Sequence, residues 1–237
     1  MLPLILCILF MVAGAICLTL FLLEKVRKYS VKATMIKSLT SLCFIGTCAV
    51  GLYQTGKHVL SLYVIFGLLL GLLGDIWLDF KYVFPHHNDA FTYAGFTMFG
   101  VGHILYIGGM FHEFYHGENI LYIIIPLIVG LVISIGNVLL EKVMKLNYGQ
   151  FKWIVFVYGF LLFSMVAVAM SFSIIYQFKN TTLIMIFAGG IFFALSDLIL
   201  SGTYFGVGKE RPVDIISNAI TYYLAQYTIA FSMFFLV

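Results

Sequence analysis

The sequence predicts an all-α membrane protein with eight transmembrane helices built as two parallel four-helix repeats. The first reason is composition: 62% of the 237 residues are hydrophobic and only 10% are charged, whereas a soluble domain carries about 25% charged residues. The second reason is a series of long apolar runs, and the third is a set of motifs that recur in the same order. We therefore expect a single polytopic membrane domain over residues 1–237, with halves of about 1–117 and 118–237.

Eight apolar runs supply the candidate spans. A helix needs about 20 predominantly apolar residues to cross the hydrocarbon core of a bilayer. Short polar connections separate the runs, so no soluble domain is expected between them. In chain order the predicted spans are 2–23, 36–55, 59–80, 91–111, 120–140, 153–176, 183–205 and 215–237.

Neither the cysteines nor the net charge indicates a further class of function. The cysteines lie inside apolar runs, where a thiol packs as a small hydrophobic group, and they show neither a zinc spacing nor a disulfide framework. The net charge is only +3, and the basic residues lie in loops, so we expect no nucleic-acid partner. The four cysteines are Cys7, Cys17, Cys43 and Cys48.

Lysine and arginine are distributed asymmetrically between the two sides of the predicted bundle. The side opposite the basic loops holds only Lys57 and Lys179. Cytoplasmic loops carry the excess of basic residues, so we expect both termini outside the cytoplasm and the protein in the cell membrane. The loops after spans 1, 3, 5 and 7 hold Lys25, Arg27, Lys28, Lys32, Lys81, Lys142, Lys145, Lys152, Lys209 and Arg211.

Matching motifs predict the internal repeat. Leu-Leu-Glu-Lys-Val ends span 1 at 22–26 and span 5 at 139–143, and Tyr-Gln ends spans 2 and 6. Asp75 in span 3 has its counterpart 122 positions later in Asp197 of span 7. Four spans per half is an even number, so both halves have the same orientation and are related by an axis along the membrane normal. The two aspartates are then expected at equal depth, in the cytoplasmic halves of their spans.

Asp75 and Asp197 are the strongest candidates for a functional site. A charged side chain in a span costs roughly 2.5–3.5 kcal/mol even on the lenient insertion scale, and such residues are functional by default. Burial favours the neutral form of a carboxyl group, and a second carboxyl nearby separates the two titrations. One aspartate could therefore serve as an acid and the other as a base. The alternative is a structural role in hydrogen bonds to neighbouring helices.

Further polar side chains gather toward the same side of the bundle. His103 and Tyr106 share one face of span 4, and Tyr222 and Gln226 lie one turn apart in span 8. Hydrogen bonding between helices is the alternative role for these four residues. Asp79, one turn beyond Asp75, is expected to be solvated or to cap a loop.

The segment from His112 to His116 matches the zinc-protease signature H-E-x-x-H. It falls at the outer end of span 4, on the opposite side from the acid pair, and no third ligand follows at a known spacing. We interpret it as part of an interfacial belt of histidine and aromatic residues. A zinc site is the alternative.

Five short motifs, in order, resemble the YhhN family of eight-span membrane proteins, which includes lysoplasmalogenases. The resemblance covers nearly the whole chain. One departure is Ser38, which stands where the family pattern has proline after the lysine. The motifs are Lys37, Gly67 to Leu78 with Gly74-Asp75, Gly102-His103-Ile104-Leu105-Tyr106, Gly189 to Leu200 with Ser196-Asp197, and Tyr222-Tyr223-Leu224-Ala225-Gln226.

The resemblance implies that the protein hydrolyses the vinyl ether bond of a lysoplasmalogen, giving a fatty aldehyde and a glycerophospho-base. Asp75 and Asp197 would be the catalytic acid and base, with His103, Tyr106, Tyr222 and Gln226 in support. Lys37 or Arg211 would hold the phosphate of the head group. The partner would be a lysophospholipid that enters from the membrane, and neither a metal nor a cofactor is expected.

Two other classes use paired intramembrane acids. A small proton-coupled secondary transporter is the first alternative, since parallel repeats and midplane acids occur there too. An intramembrane aspartyl protease is the second, although Leu72 stands where that group has a glycine two residues before Gly74.

Overall fold

The structure is a computed structural model that describes residues 2–26, 30–56, 58–117, 119–206 and 211–236. Over these residues it is almost entirely helical, and its only bridge of β type joins Leu146 to Gly206. Eight long helices follow one another. They are α1 (Leu2–Lys25), α2 (Val31–Thr55), α3 (Val59–Val83), α4 (Asn88–Phe114), α5 (Leu121–Val143), α6 (Lys152–Ile175), α7 (Thr181–Phe205) and α8 (Pro212–Ser232).

All eight predicted spans fold as helices, and α1 to α7 are long and apolar enough to cross a membrane. The eighth, α8, is a less apolar helix because its inner face carries polar groups such as Asn218, Tyr222 and Gln226. Among the basic residues used to predict orientation, Arg27, Lys28, Lys57 and Lys209 lie outside the described residues. The structure is that of a multi-pass helical bundle.

Local capping explains why several helices begin earlier than their apolar runs. The Ser30 side chain accepts a hydrogen bond from the backbone N–H of Ala33, and so extends α2 beyond the run predicted from residue 36. Asn180 caps α7 in the same way through Leu183. Lys37 therefore lies inside α2 rather than at its entry.

Consecutive helices pair as hairpins, α1 with α2, α3 with α4, α5 with α6 and α7 with α8. Contacts between α2 and α8 and between α4 and α6 join these hairpins into one bundle. Most large side chains on α1 and α5 point outward, as expected for helices that face lipid. The division into two parallel repeats stays a prediction.

Glycines bring α3 and α4 into close contact. A Cβ atom on Gly67 would lie 2.3 Å from Cε1 of Tyr106, and one on Gly74 would lie 2.6 Å from Cε2 of Phe99. Small residues allow such close approach between membrane helices. This packing fixes the part of α3 that carries Asp75.

The connection between α5 and α6 is tied to the end of α7. The backbone N–H of Asn147 donates to the carbonyl of Phe205 at 2.8 Å. Tyr148 packs edge-on against the Phe205 ring, with centroids 5.0 Å apart, and burial raises the pKa of its phenol. This loop closes one side of the bundle end that carries the basic loops, which we call the basic end.

A candidate active site with two aspartates

A cavity opens among the helices near the basic end, and both Asp75 and Asp197 line it. Its volume is about 100 Å³. One water molecule needs roughly 10–15 Å³ measured in this way, so several would fit. The structure therefore places the two predicted acids on one cavity that has room for several water molecules. Their catalytic role stays a prediction.

Asp75 is buried and surrounded by hydrogen-bond donors. The Lys37 ammonium of α2 lies 3.0 Å from its Oδ1 atom. The Ser41 hydroxyl donates to Oδ2 at 3.0 Å, and the Tyr222 hydroxyl of α8 donates to the same oxygen at 2.8 Å. Helices α2, α3 and α8 thus meet at this carboxyl group.

Asp79 and Lys25 extend this arrangement by one turn. The Lys25 ammonium lies 2.5 Å from Asp79 Oδ1, and that of Lys37 lies 3.6 Å from the same oxygen. Asp79 is only 3% exposed, so the expectation that it would be solvated or cap a loop is wrong. Its Oδ2 atom has no hydrogen-bond partner among the described residues. We call Lys25, Lys37, Asp75 and Asp79 the ionic subsite.

The ionic subsite is balanced, with two ammonium and two carboxylate groups. Buried ions are tolerated when each has a partner, and removing one partner leaves an uncompensated charge. The sequence predicts Lys25 only as a residue of the loop after span 1. The four-residue spacing of Asp75 and Asp79, which places both on one face of α3, is the signal that could have assigned Asp79 to the site.

Asp197 lies on the other side of the cavity in a different environment. The Tyr158 hydroxyl of α6 donates a short hydrogen bond to its Oδ2 atom. Among the described residues, Asp197 takes part in no ion pair. Nearby, the Asn218 amide donates to the carbonyl and hydroxyl of Ser196, at 2.8 and 2.9 Å.

The polar groups around Asp197 are neutral. The predicted repeat would account for this difference, because the residue 122 positions after Asp79 is Ser201, which has a hydroxyl where Asp79 has a carboxylate. The members of this set that line the cavity are Tyr158, Ser196, Asp197, Ser201 and Asn218, which we call the neutral subsite.

Tyr222 and Gln226 support Asp75. The Gln226 amide donates to the Tyr222 oxygen at 2.9 Å, which leaves the phenolic hydrogen directed at Asp75. Gln226 is 1% exposed, and its Oε1 atom has no partner among the described residues. Both predicted supporting residues of α8 are therefore close to one acid.

His103 and Tyr106 lie behind the cavity wall rather than on it. The imidazole ring of His103 is 5.5 Å from the ring of Tyr158 and 5.0 Å from that of Phe193, centroid to centroid. Neither of its nitrogens has a hydrogen-bond partner in the described ranges. Tyr106 packs against Gly67 of α3. His103 therefore packs against Tyr158, the hydrogen-bond partner of Asp197.

The two predicted phosphate-binding cations are placed differently. Lys37 lines the cavity, where Asp75 engages it. Arg211 is exposed at the start of α8, where Nε and one terminal nitrogen donate to Asp214 at 2.8 and 3.0 Å. That carboxylate raises the pKa of the guanidinium. The substrate-binding role of both residues stays a prediction.

The H-E-x-x-H segment ends α4 at the opposite end of the bundle. Glu113 contacts His58 Nδ1 at 2.8 Å and accepts from the backbone N–H of Leu60 at 3.3 Å. Its carboxylate thus satisfies the first turn of α3, where anions are favoured. Over the described ranges, no three histidine, cysteine or acidic side chains are grouped as metal ligands would be.

The fold is that of a multi-pass helical membrane protein, and Asp75 and Asp197 line one cavity among its helices. A model of the YhhN family matches residues 28–233, so the chain belongs to the YhhN family. Comparisons with curated proteins and with solved structures gave no significant match.

Proposed function

We propose that the protein is a membrane hydrolase that cleaves the vinyl ether bond of lysoplasmalogens by carboxyl acid and base catalysis. Membership of the YhhN family, with its lysoplasmalogenases, supports the reaction class. The observation that carries the proposal is that Asp75 and Asp197 line the same cavity. The products would be a fatty aldehyde and a glycerophospho-base.

The chemistry of a vinyl ether explains the need for two carboxyl groups. Protonation of the β-carbon converts the ether into an oxocarbenium ion, and this step needs a positioned acid. The cation is then stabilised by a nearby negative charge, and a base activates the water that attacks it. Glycoside hydrolases divide similar tasks between two carboxyl groups.

The bundle offers a route for the substrate. A lysophospholipid has one tail, which the apolar helices could accommodate, while its head group would face the basic end beside Lys25 and Lys37. Phe96, Phe99 and Phe193 line the cavity, and their apolar rings would pack against the alkenyl part of that tail. We place the protein in the cell membrane, with the termini outside the cytoplasm and the two halves as parallel repeats.

Aldehyde release by the purified protein tests this proposal. The substrates are lysoplasmalogens with choline and ethanolamine head groups, and the variants are Asp75→Asn and Asp197→Asn. General acid and base catalysis contributes typically about 10²- to 10⁴-fold, so each variant should lose at least about 100-fold in rate. Asp89→Asn is the matched control, because Asp89 is exposed and contacts Gln150 outside the cavity.

The result that would overturn the hydrolase is an absence of aldehyde from folded wild-type protein with both head groups. A proton-coupled flux in vesicles under the same conditions would then favour a transporter. Full activity in either Asn variant would exclude that residue as a catalytic group.

A further inference from the structure

We infer that the two aspartates have fixed and different roles: Asp197 is protonated at rest and donates its proton to the vinyl ether, and Asp75 is ionised at rest and accepts a proton from the attacking water. This inference rests on the proposed function and assigns the acid and the base within it. The two side chains differ in their hydrogen-bond partners.

The partners of Asp75 fit an ionised carboxylate. An ammonium group donates and never accepts, so the Asp75 Oδ1 atom facing Lys37 carries no proton toward it. At Oδ2, the Tyr222 hydroxyl donates to Asp75 and accepts from the Gln226 amide. Lys37, Tyr222 and Ser41 together provide three donors, and Gln226 is the positioning residue that sets the direction of the Tyr222 hydroxyl.

The partners of Asp197 fit a neutral acid. Tyr158 is its hydrogen-bond partner, and the structure places no cation of the described residues within ion-pair distance. Asp197 is half-buried in α7, and a carboxyl group that is withdrawn from water without a cationic partner favours its neutral form. Tyr158 contacts Oδ2, so we place that proton on Oδ1, the oxygen that remains for the substrate.

With these roles every proton is accounted for. Asp197 transfers its proton to the β-carbon, the π electrons form the new C–H bond, and the α-carbon becomes an oxocarbenium ion. Asp75 accepts a proton from water as the water oxygen bonds to that carbon, giving a hemiacetal. The hemiacetal hydroxyl returns its proton to Asp197, the bond to the glycerol oxygen breaks, and Asp75 protonates that oxygen. Both side chains end as they began.

Infrared difference spectroscopy of the protein in an ester-free detergent tests the assignment without turnover. A protonated carboxyl group has a C=O band that shifts in D₂O. We expect this band in the wild type and in Asp75→Asn, and its loss in Asp197→Asn. Tyr158→Phe should shift its frequency by removing a hydrogen bond, which gives a second readout if Asp197→Asn does not fold.

A band that is absent from the wild type, or that disappears in Asp75→Asn and persists in Asp197→Asn, would overturn the assignment. Because the spectrum needs no substrate, its outcome is independent of aldehyde release. If the protein gives the predicted spectrum but releases no aldehyde, the hydrolase proposal is refuted and the assigned protonation states of Asp75 and Asp197 still stand.

Binding of a cationic analogue provides a second test. The probe is a lysophospholipid with a secondary ammonium in place of the vinyl ether, compared with its uncharged alkyl ether. Loss of a buried charge partner should weaken binding of the ammonium probe to Asp75→Asn by about 30-fold or more. Asp197→Asn should bind both probes as the wild type does, and a larger loss there than in Asp75→Asn would contradict the inference.

Discussion

Lys37 is the residue on which the ionic subsite depends, because it contacts both Asp75 and Asp79. Its ammonium group is what makes a carboxylate at Asp75 tolerable inside the bundle. Lys25 contributes a second cation, but its ion pair is with Asp79.

Lys37→Met should therefore be strongly destabilising. It leaves two buried carboxylates with one ammonium, and breaking a buried ion pair costs roughly 3–5 kcal/mol. The midpoint of thermal unfolding in detergent measures this loss. The control is Lys32→Met, whose exposed pair with Glu24 should contribute about 0–1 kcal/mol. Equally small shifts of the unfolding midpoint in the two variants would show that ion pairs do not stabilise the ionic subsite.

Tyr158→Phe tests the neutral subsite. The change removes the hydrogen bond that Tyr158 donates to Asp197 while keeping the ring against His103. We expect kcat for aldehyde release to fall about tenfold, since a hydrogen bond is worth roughly 1–1.5 kcal/mol, with little change in KM. The control is Tyr93→Phe, which removes an exposed hydrogen bond to the Gln150 carbonyl. A change in KM alone would argue that Tyr158 binds the substrate and does not position the acid.

The two aspartates could be predicted from the sequence, because an acid inside an apolar run is costly enough to stand out. The four-residue spacing from Asp75 indicates that Asp79 shares its helix face, but near the end of an apolar run the sequence does not reveal whether Asp79 or Lys25 reaches water. The structure buries both through neighbouring helices, and the Lys25 ammonium lies 5.6 Å from the Phe21 ring and 5.5 Å from the Tyr82 ring. The role of Tyr158 could not be predicted from the sequence, because span 6 contains several other aromatic residues.

At the level of helices, the contact between α3 and α4 sets the position of the ionic subsite. Gly67 lies directly beneath the Tyr106 ring, two turns before Asp75. Any side chain at this position must push the two helices apart or move the ring.

Gly67→Ala should destabilise the bundle by about 1–3 kcal/mol, the usual cost of overpacking. Gly136→Ala is the matched control: nothing lies within 4 Å of its new methyl group on the outward face of α5, and alanine favours the helix by up to about 1 kcal/mol. Thermal unfolding of both variants in one detergent gives the comparison. If the Gly67→Ala protein is as stable as the Gly136→Ala protein, the Tyr106 ring or the two helices can move to accept the methyl group at little cost.

Hydropathy predicted the eight helices. It could not predict which helices pack against each other, because each apolar run could pack against several others. Contacts such as that between α2 and α8, which bring Lys37, Ser41 and Tyr222 to Asp75, depend on side-chain shape across helices far apart in sequence. The polar inner face of α8 is the clearest example, since those groups lower its hydropathy and build the site.

At the scale of the whole molecule, two groups of side chains with different chemistry line one cavity. The ionic subsite is a balanced set of charges, and the neutral subsite is an acid with neutral partners. If the two halves of the chain are parallel repeats, as we predict, the symmetry would place both aspartates at equal depth. The replacement of the carboxylate of Asp79 by the hydroxyl of Ser201 would then help to distinguish the base from the acid.

The central claim is that this cavity hydrates a vinyl ether, and the fate of the water oxygen tests it most directly. Turnover of a lysoplasmalogen in H₂¹⁸O, with immediate reduction of the aldehyde, should place ¹⁸O in the fatty alcohol. The glycerophospho-base should contain none, because water attacks the alkenyl carbon. An ¹⁸O label in the glycerophospho-base, or no aldehyde at all from the folded protein, would contradict the account.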